Sequence, residues 1–380
     1  MKKIAIICVI LCTPLLINAQ TQIPTLDDLD HEIAMSSQYD KQYEDVIRNV
    51  KKQLHAAKSM EARYDLSNKL FNLYTSYSVD SAIVYAMEKQ KIAKAMGNQS
   101  KVNDAKLNLA YLLIRGGELK DASDIINSIP RSGINQDLSF YYFSTRKTLY
   151  RTLADAALIP SQRKMYKQME KLCNDSVVDN NQSPDIWSRA EQLVNRQQYE
   201  QAKKILLDAY HHLKPGDRQT AFVSISLADI YGREKNVEAQ KQYLIAAAIS
   251  DIRNSVKEYL ALQQLAMILF EEGDTKRAYA YMDHAMNDAV FCNARQRTIA
   301  MADVWPAIEK SHERETKSRT LRLTAALVLI SLMSVFLLVM IIYTRRRVVE
   351  LRAIRARLSN TNELLKESNN IKDEYITRFL

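Results

Sequence analysis

The sequence predicts an all-α chain: a solenoid of helical pairs, one transmembrane helix and a short cytoplasmic coiled coil. Three observations predict it. Only seven glycines occur in 380 residues, beside 20 tyrosines, and apolar residues recur at helical spacing almost throughout, the pattern of helices rather than strands. Leu323 to Tyr343 runs without a charge, and at about 1.5 Å per residue it reaches roughly 30 Å, the thickness of a bilayer's hydrocarbon core. Beyond it, Leu351, Leu358 and Leu365 are spaced by seven, the period of a coiled coil.

Residues 1–19 have the layout of a secretory signal: Lys2 and Lys3, an apolar run from Ile4 to Ile17, then Ala19 as the cleavage position. Leu11 before Cys12 is too large a neighbour for lipid attachment. With the signal removed, residues 20–322 are exported and the tail from Thr344 stays in the cytoplasm. Arg345, Arg346, Arg347, Arg352, Arg355 and Arg357 crowd that inner side, as the positive-inside rule favours. The formal net charge of +9 concentrates in the signal, the membrane flanks and the tail. It therefore argues for contact with anionic lipid rather than nucleic-acid binding by the bulk of the chain. Cys173 and Cys292 are the exported cysteines. Two buried free thiols are the favoured reading and a bridge the other.

Residues 20–55 divide into a mobile leader, Gln22 to Leu29, and a capping helix from Met35 to Leu54. The acidic cluster Asp27, Asp28 and Asp30 is read as part of that solvated leader. Residues 56–290 then repeat. Leu265, Ala266, Leu269, Ala278, Met282 and Ala285, with Gly273-Asp274 at the turn, have the same spacing as Leu109, Ala110, Leu113, Ala122, Ile126 and Ile129, with Gly116-Gly117 at the turn. This spacing resembles the tetratricopeptide repeat, with small residues where paired helices approach closely. Weaker copies begin at Leu70, Ala190 and Leu227. The first and last of these read as one residue short. Phe140 to Ala157 and Arg163 to Cys173 form a degenerate pair, bringing the count to about six, each pair burying the apolar face its neighbour cannot cover. Residues 291–322 are expected to form a juxtamembrane segment, with one helix from Phe291 to His312 kinked at Pro306. Trp305 is expected to pack on the last repeat.

The exported domain lacks the motifs of an enzyme. There is no Gly-rich phosphate loop, no H-E-x-x-H and no G-x-S-x-G, and no cofactor or metal is expected. His211-His212 is a surface pair, since adjacent helical residues point in different directions. None of the six histidines follows the membrane segment, so the tail carries no phosphoacceptor histidine. What remains is binding. In stacked pairs the first helices line a concave groove, and their outward positions are Asp104, Tyr111 and Arg115, then Asp229 and Arg233, then Gln263, Met267 and Glu271. A protein or peptide is the expected occupant, on the periplasmic side.

The span 323–343 is followed by the tail 344–380. Val348, Leu351, Arg355, Leu358, Asn362, Leu365 and Asn369 make a heptad seam in that tail, and a buried Asn at such a position favours a parallel homodimer of fixed register. The final segment, NNIKDEYITRFL, reads as the entrance to a further domain.

Two stretches carry a wider likeness: YLIAAAISDIRNSVKEYLALQQLAMILFEEGDTKRAYAYMDHAMNDAVFCNARQRTIAMADVWPAIEK (243–310) and NNIKDEYITRFL after the span. The chain resembles membrane-bound tetratricopeptide regulators of Bacteroidetes, built of a signal peptide, repeats, one span, a coiled coil and a C-terminal regulatory domain of unknown function. The resemblance implies an inner-membrane sensor or adaptor acting in transcriptional regulation. In that family the last domain looks like a transcriptional regulator ending in a helix-turn-helix, so nucleic acid would be contacted only through a domain beyond these residues. The alternatives are a passive scaffold at the inner membrane and a truncated receptor of the histidine-kinase kind.

Overall fold

The computed structural model describes residues 24–130, 134–179, 186–214 and 216–379. The expected signal lies outside them. The chain divides into two units, Met1–Glu309 and Lys310–Leu380.

The first unit is helical throughout its described residues. A leading helix, α1 (Leu26–Ala56), precedes six pairs: α2 (Met60–Tyr74) with α3 (Val79–Ala95), α4 (Gln99–Gly116) with α5 (Leu119–Asn127), α6 (Gln136–Ala156) with α7 (Pro160–Asp179), α8 (Ile186–Asn195) with α9 (Tyr199–His212), α10 (Arg218–Arg233) with α11 (Val237–Arg253), and α12 (Leu260–Glu272) with α13 (Thr275–Cys292). Short polar side chains start many of them. Ser59, Ser78, Asn98, Asn135, Asn236 and Asp274 each accept a hydrogen bond from a backbone N–H of the first turn, satisfying donors that a helix end leaves open. In four of the six pairs the turn carries one left-handed residue. Gly117 (φ 84°) and Gly273 (φ 90°) supply it in the two strong repeats, while Gln197 (φ 61°) and Lys235 (φ 60°) adopt it in the pairs α8–α9 and α10–α11. The repeat from Leu227 therefore has a full-length turn, and its misreading has a physical cause. Gln240 stands at the position of Ala278, and its side chain lies where a Cβ on Gly232 would sit, 2.7 Å away.

The expected leader is corrected. Thr25 caps α1 through a reciprocal pair of bonds: its Oγ1 accepts from the Asp28 N–H (3.2 Å), and its own N–H donates to the Asp28 carboxylate (2.8 Å). Leu29 is completely buried. Nor are the neighbouring acids free, because Asp30 accepts from Arg277 Nε (2.9 Å) and Tyr281 Oη (2.7 Å), and Asp27 pairs with the same arginine.

These contacts join residues about 250 positions apart, and they are part of a pattern. α1 packs on both α2 and α11, and a short helix, α14 (Arg295–Ala302), packs on α4 as well as α13. One apolar cluster consequently runs from Leu29 and Ile47 through Leu70, Ala82 and Leu112 to Leu244, Leu262, Met282 and Met301. The repeat array closes on itself, first helices against last.

The helix expected from Phe291 to His312 is broken in two places. Asn293 takes a left-handed conformation (φ 59°) after α13, and the last helix, α15 (Trp305–Phe379), begins only at Trp305. Pro306 thus falls in a first turn, where its missing N–H costs nothing, and no interior kink arises there. Trp305 stacks on Tyr279 of the last repeat (5.3 Å between ring centres), as expected. Cys173 and Cys292 are buried and unbridged, and burial pushes both thiols above their ordinary pKa.

In the second unit, α15 contains the charge-free stretch and is long and apolar enough to cross a membrane. The heptad leucines Leu351, Leu358 and Leu365 are exposed on this helix.

Candidate binding surface

The first helices of the pairs were expected to offer an open groove. On α4 its polar positions are already engaged. Lys89, completely buried, lies in the otherwise alanine-lined stripe Ala82, Ala86, Ala93 of α3. Its ammonium donates to Asn68 Oδ1 (2.6 Å), Asn108 Oδ1 (2.5 Å) and Asp104 Oδ2 (2.8 Å), so all three donors are used. It also lies over the rings of Phe71 and Tyr64, 5.2 and 5.3 Å from their centres. Tyr64 Oη completes the set by donating to Asp104 (2.8 Å). Burial lowers the Lys89 pKa while Asp104 opposes it. Asp104 therefore balances an internal cation.

Further along α4, Arg115 donates to the Thr75 carbonyl (2.6 Å), pairs with Glu258 and lies over Tyr111 (5.4 Å). Glu258 comes from the connection between α11 and α12, which the closed array carries onto the turn after α2. There the Lys257 N–H donates to the Ser76 carbonyl (2.7 Å). Its buried ammonium bridges Asp40 (2.6 Å) of α1 and Asp288 (3.1 Å) of α13. Beside Asp288 sits His284 (3.5 Å), whose pKa burial lowers despite that carboxylate.

The other expected positions are dispersed. Asp229 and Arg233 form an exposed pair with each other (3.0 Å). Gln263 does not face outward as expected; it is buried, and Met267 packs partly buried against the closure cluster. Glu271 is exposed. Two clefts were not anticipated. One, of about 310 Å³, lies between α1 and α9 to α11 and is lined by His31, Glu32, Tyr210 and Arg253. A wider one, about 700 Å³, lies among α6, α7 and α8, with Arg151, Lys167, Lys171 and Arg196 on its walls.

Helical pairs with left-handed turns and small residues at the crossing, stacked over residues 56–290, match one family model. That model, the SusR N-terminal TPR domain, covers residues 33–303. The chain belongs to this family. No curated protein matches it. The SusR-type TPR domain takes in most of α1 as well as the six pairs and all of α14, the elements that close the array. A tetratricopeptide domain is a protein-binding repeat scaffold.

Lys89 and Lys257 were missed by sequence reasoning, although Lys89 left a signal. A lysine at the i+7 position of an alanine stripe has to be buried with partners or break the helix packing. Glu258 left none, since its partner lies 143 residues away.

Proposed function

We propose that this protein is a membrane-anchored sensor or adaptor: its repeats bind a protein or peptide on the periplasmic side, and a dimeric coiled coil in the cytoplasm carries the signal. The observation that supports this most is the coexistence, on one chain, of a protein-binding SusR-type domain over residues 33–303 and a helix long and apolar enough to cross a membrane. The arginines after Tyr343 favour a cytoplasmic tail. Residues 323–343 are the span, and the seam Val348, Leu351, Arg355, Leu358, Asn362, Leu365 and Asn369 is the dimer contact. Transcription is the output if a C-terminal regulatory domain follows, as in the regulators the sequence resembles, and the residues given form a binding protein rather than an enzyme.

Placing a carboxylate on the seam tests the coupling. In membranes carrying a Leu358→Cys reporter, oxidation should yield a disulfide-linked dimer, and adding Asn362→Asp should reduce it several-fold by setting like charges face to face. Unchanged crosslinking in the double variant would sink the proposed dimer.

A further inference from the structure

The cleft of about 310 Å³ between α1 and α9 to α11 is divided by its chemistry. Its floor is apolar, with Ala246 and Ile249 buried on α11 and Leu213 and the Tyr210 ring beside them. Tyr210 is set edge-on against Tyr243, 5.3 Å between ring centres. On the α1 wall, Glu32 is buried and already satisfied: its carboxylate accepts from Arg253 Nη2 (2.5 Å) and Tyr39 Oη (2.7 Å). One turn earlier, Asp28 stands exposed on the rim and forms no ion pair among the described residues. Its Oδ2 accepts from the Thr25 N–H (2.8 Å) and hydroxyl (2.7 Å), which leaves Oδ1 without a hydrogen-bond donor among the described residues. The lining thus sets two carboxylates against one guanidinium, with His31 sharing the rim. Gly216 also lines the cleft, and a Cβ there would meet Arg253 Cδ at 3.0 Å and Nη1 at 3.3 Å. Its missing side chain gives the guanidinium its place on that wall.

An unneutralised carboxylate above an apolar floor suits a ligand with a cationic head and an apolar body. The head gains a charge-assisted hydrogen bond at Asp28, and the body leaves water on the floor. We infer that the cleft binds a primary ammonium group carried beside an apolar side chain. Asp28 takes the ammonium, Ala246, Ile249 and the Tyr210 ring take the side chain, and Arg253 faces the adjoining carbonyl or carboxylate oxygen. Ligand cavities run from roughly 300 to 1,000 Å³, so this one has room for a single amino-acid unit. That unit is either a free amino acid or the N-terminal residue of a peptide. The peptide source rests on the protein-binding reading above, whereas the site itself does not. Closure of the array creates the cleft, since α1 and α11 come together only there.

The test is isothermal titration calorimetry of the full chain in detergent micelles with L-leucinamide, which has the ammonium and the side chain but no carboxylate. One saturable site per chain is expected, and N-acetyl-L-leucinamide, which lacks the ammonium, should give none. Asp28→Asn keeps an acceptor for the Thr25 cap but loses the charge, and should weaken binding roughly tenfold. Ala246→Leu, which fills the floor, should abolish it. Asp124→Asn, which removes an exposed carboxylate from α5, should leave it intact. No saturable binding by the native chain, equal binding of the acetylated amide, or undiminished binding by a folded Ala246→Leu variant would overturn the site. Leucyl-glycyl-glycine binding as tightly as the amide assigns the site to a peptide N-terminus. Binding of L-leucine with exclusion of that tripeptide assigns it to a free amino acid and counts against the protein-binding reading at this place, leaving the site standing.

Discussion

The two seams of the repeat array are built differently. At the closure, helices from the two ends share one apolar cluster from Leu29 to Met301, and buried or half-buried ions cross it: Lys257 to Asp40 and Asp288, Arg253 to Glu32, and Arg115 to Glu258. In the middle, the cluster of α4 to α6 and that of α8 to α11 have no residue in common. Glu191 of α8 spans the interval, accepting from Lys147 (2.8 Å) and pairing with Arg151 (3.5 Å) of α6. Apolar area is the larger stabiliser, at roughly 25 cal/mol per Å² buried. A solenoid of this kind is therefore fastened more firmly at its ends than at its centre, and should open first between α6 and α8.

Breaking the closure ion set should have the largest effect. Lys257→Met leaves two carboxylates facing each other inside the fold and should cost about 3–5 kcal/mol, measured by denaturant unfolding of the full chain followed by circular dichroism. A loss below about 1 kcal/mol would mean that the set is solvated. Leu29→Ala comes next, at about 2–4 kcal/mol. A mobile leader would give no change at all, so this variant separates the two readings of the N-terminal segment. At the central seam, Glu191→Gln should cost only about 1–2 kcal/mol yet speed proteolysis between α7 and α8, with little change elsewhere. Equal acceleration at the closure would erase the distinction between the seams. The smallest effect belongs to the turns. Gly273→Ala should destabilise by about 1 kcal/mol, whereas Lys235→Gly should be neutral or stabilising, because both positions are left-handed and only the first has a residue suited to it.

Local features were legible in the sequence. Equal spacing at Leu109 and Leu265 placed two turns, and the charge-free stretch placed the apolar helix, because helix pairing and membrane crossing depend on residues near one another in the chain. Closure was not legible. Asp30 and Arg277 lie 247 positions apart, and nothing local distinguishes an aspartate waiting for such a partner from one facing water. The internal partner of Arg115 was hidden for the same reason. Arg115 is at an outward position of its own pair, but the closed array brings Glu258 onto it. The helix expected over 291–312 was lost at Asn293, a residue that tolerates the left-handed conformation nearly as well as glycine ends a helix.

The closed array itself is best tested by a double-mutant cycle on Glu32 and Arg253, 221 positions apart and joined at 2.5 Å. Burial raises the Glu32 pKa, but bonds from Arg253 and Tyr39 outweigh it, so the folded pKa is depressed. The stabilisation is thus present above the unfolded carboxylate range and lost as pH falls through the folded value. Unfolding of Glu32→Gln, Arg253→Met and the double variant at neutral pH should show a coupling of about 1–2 kcal/mol that disappears in acid. Strict additivity of the two substitutions at neutral pH would contradict closure.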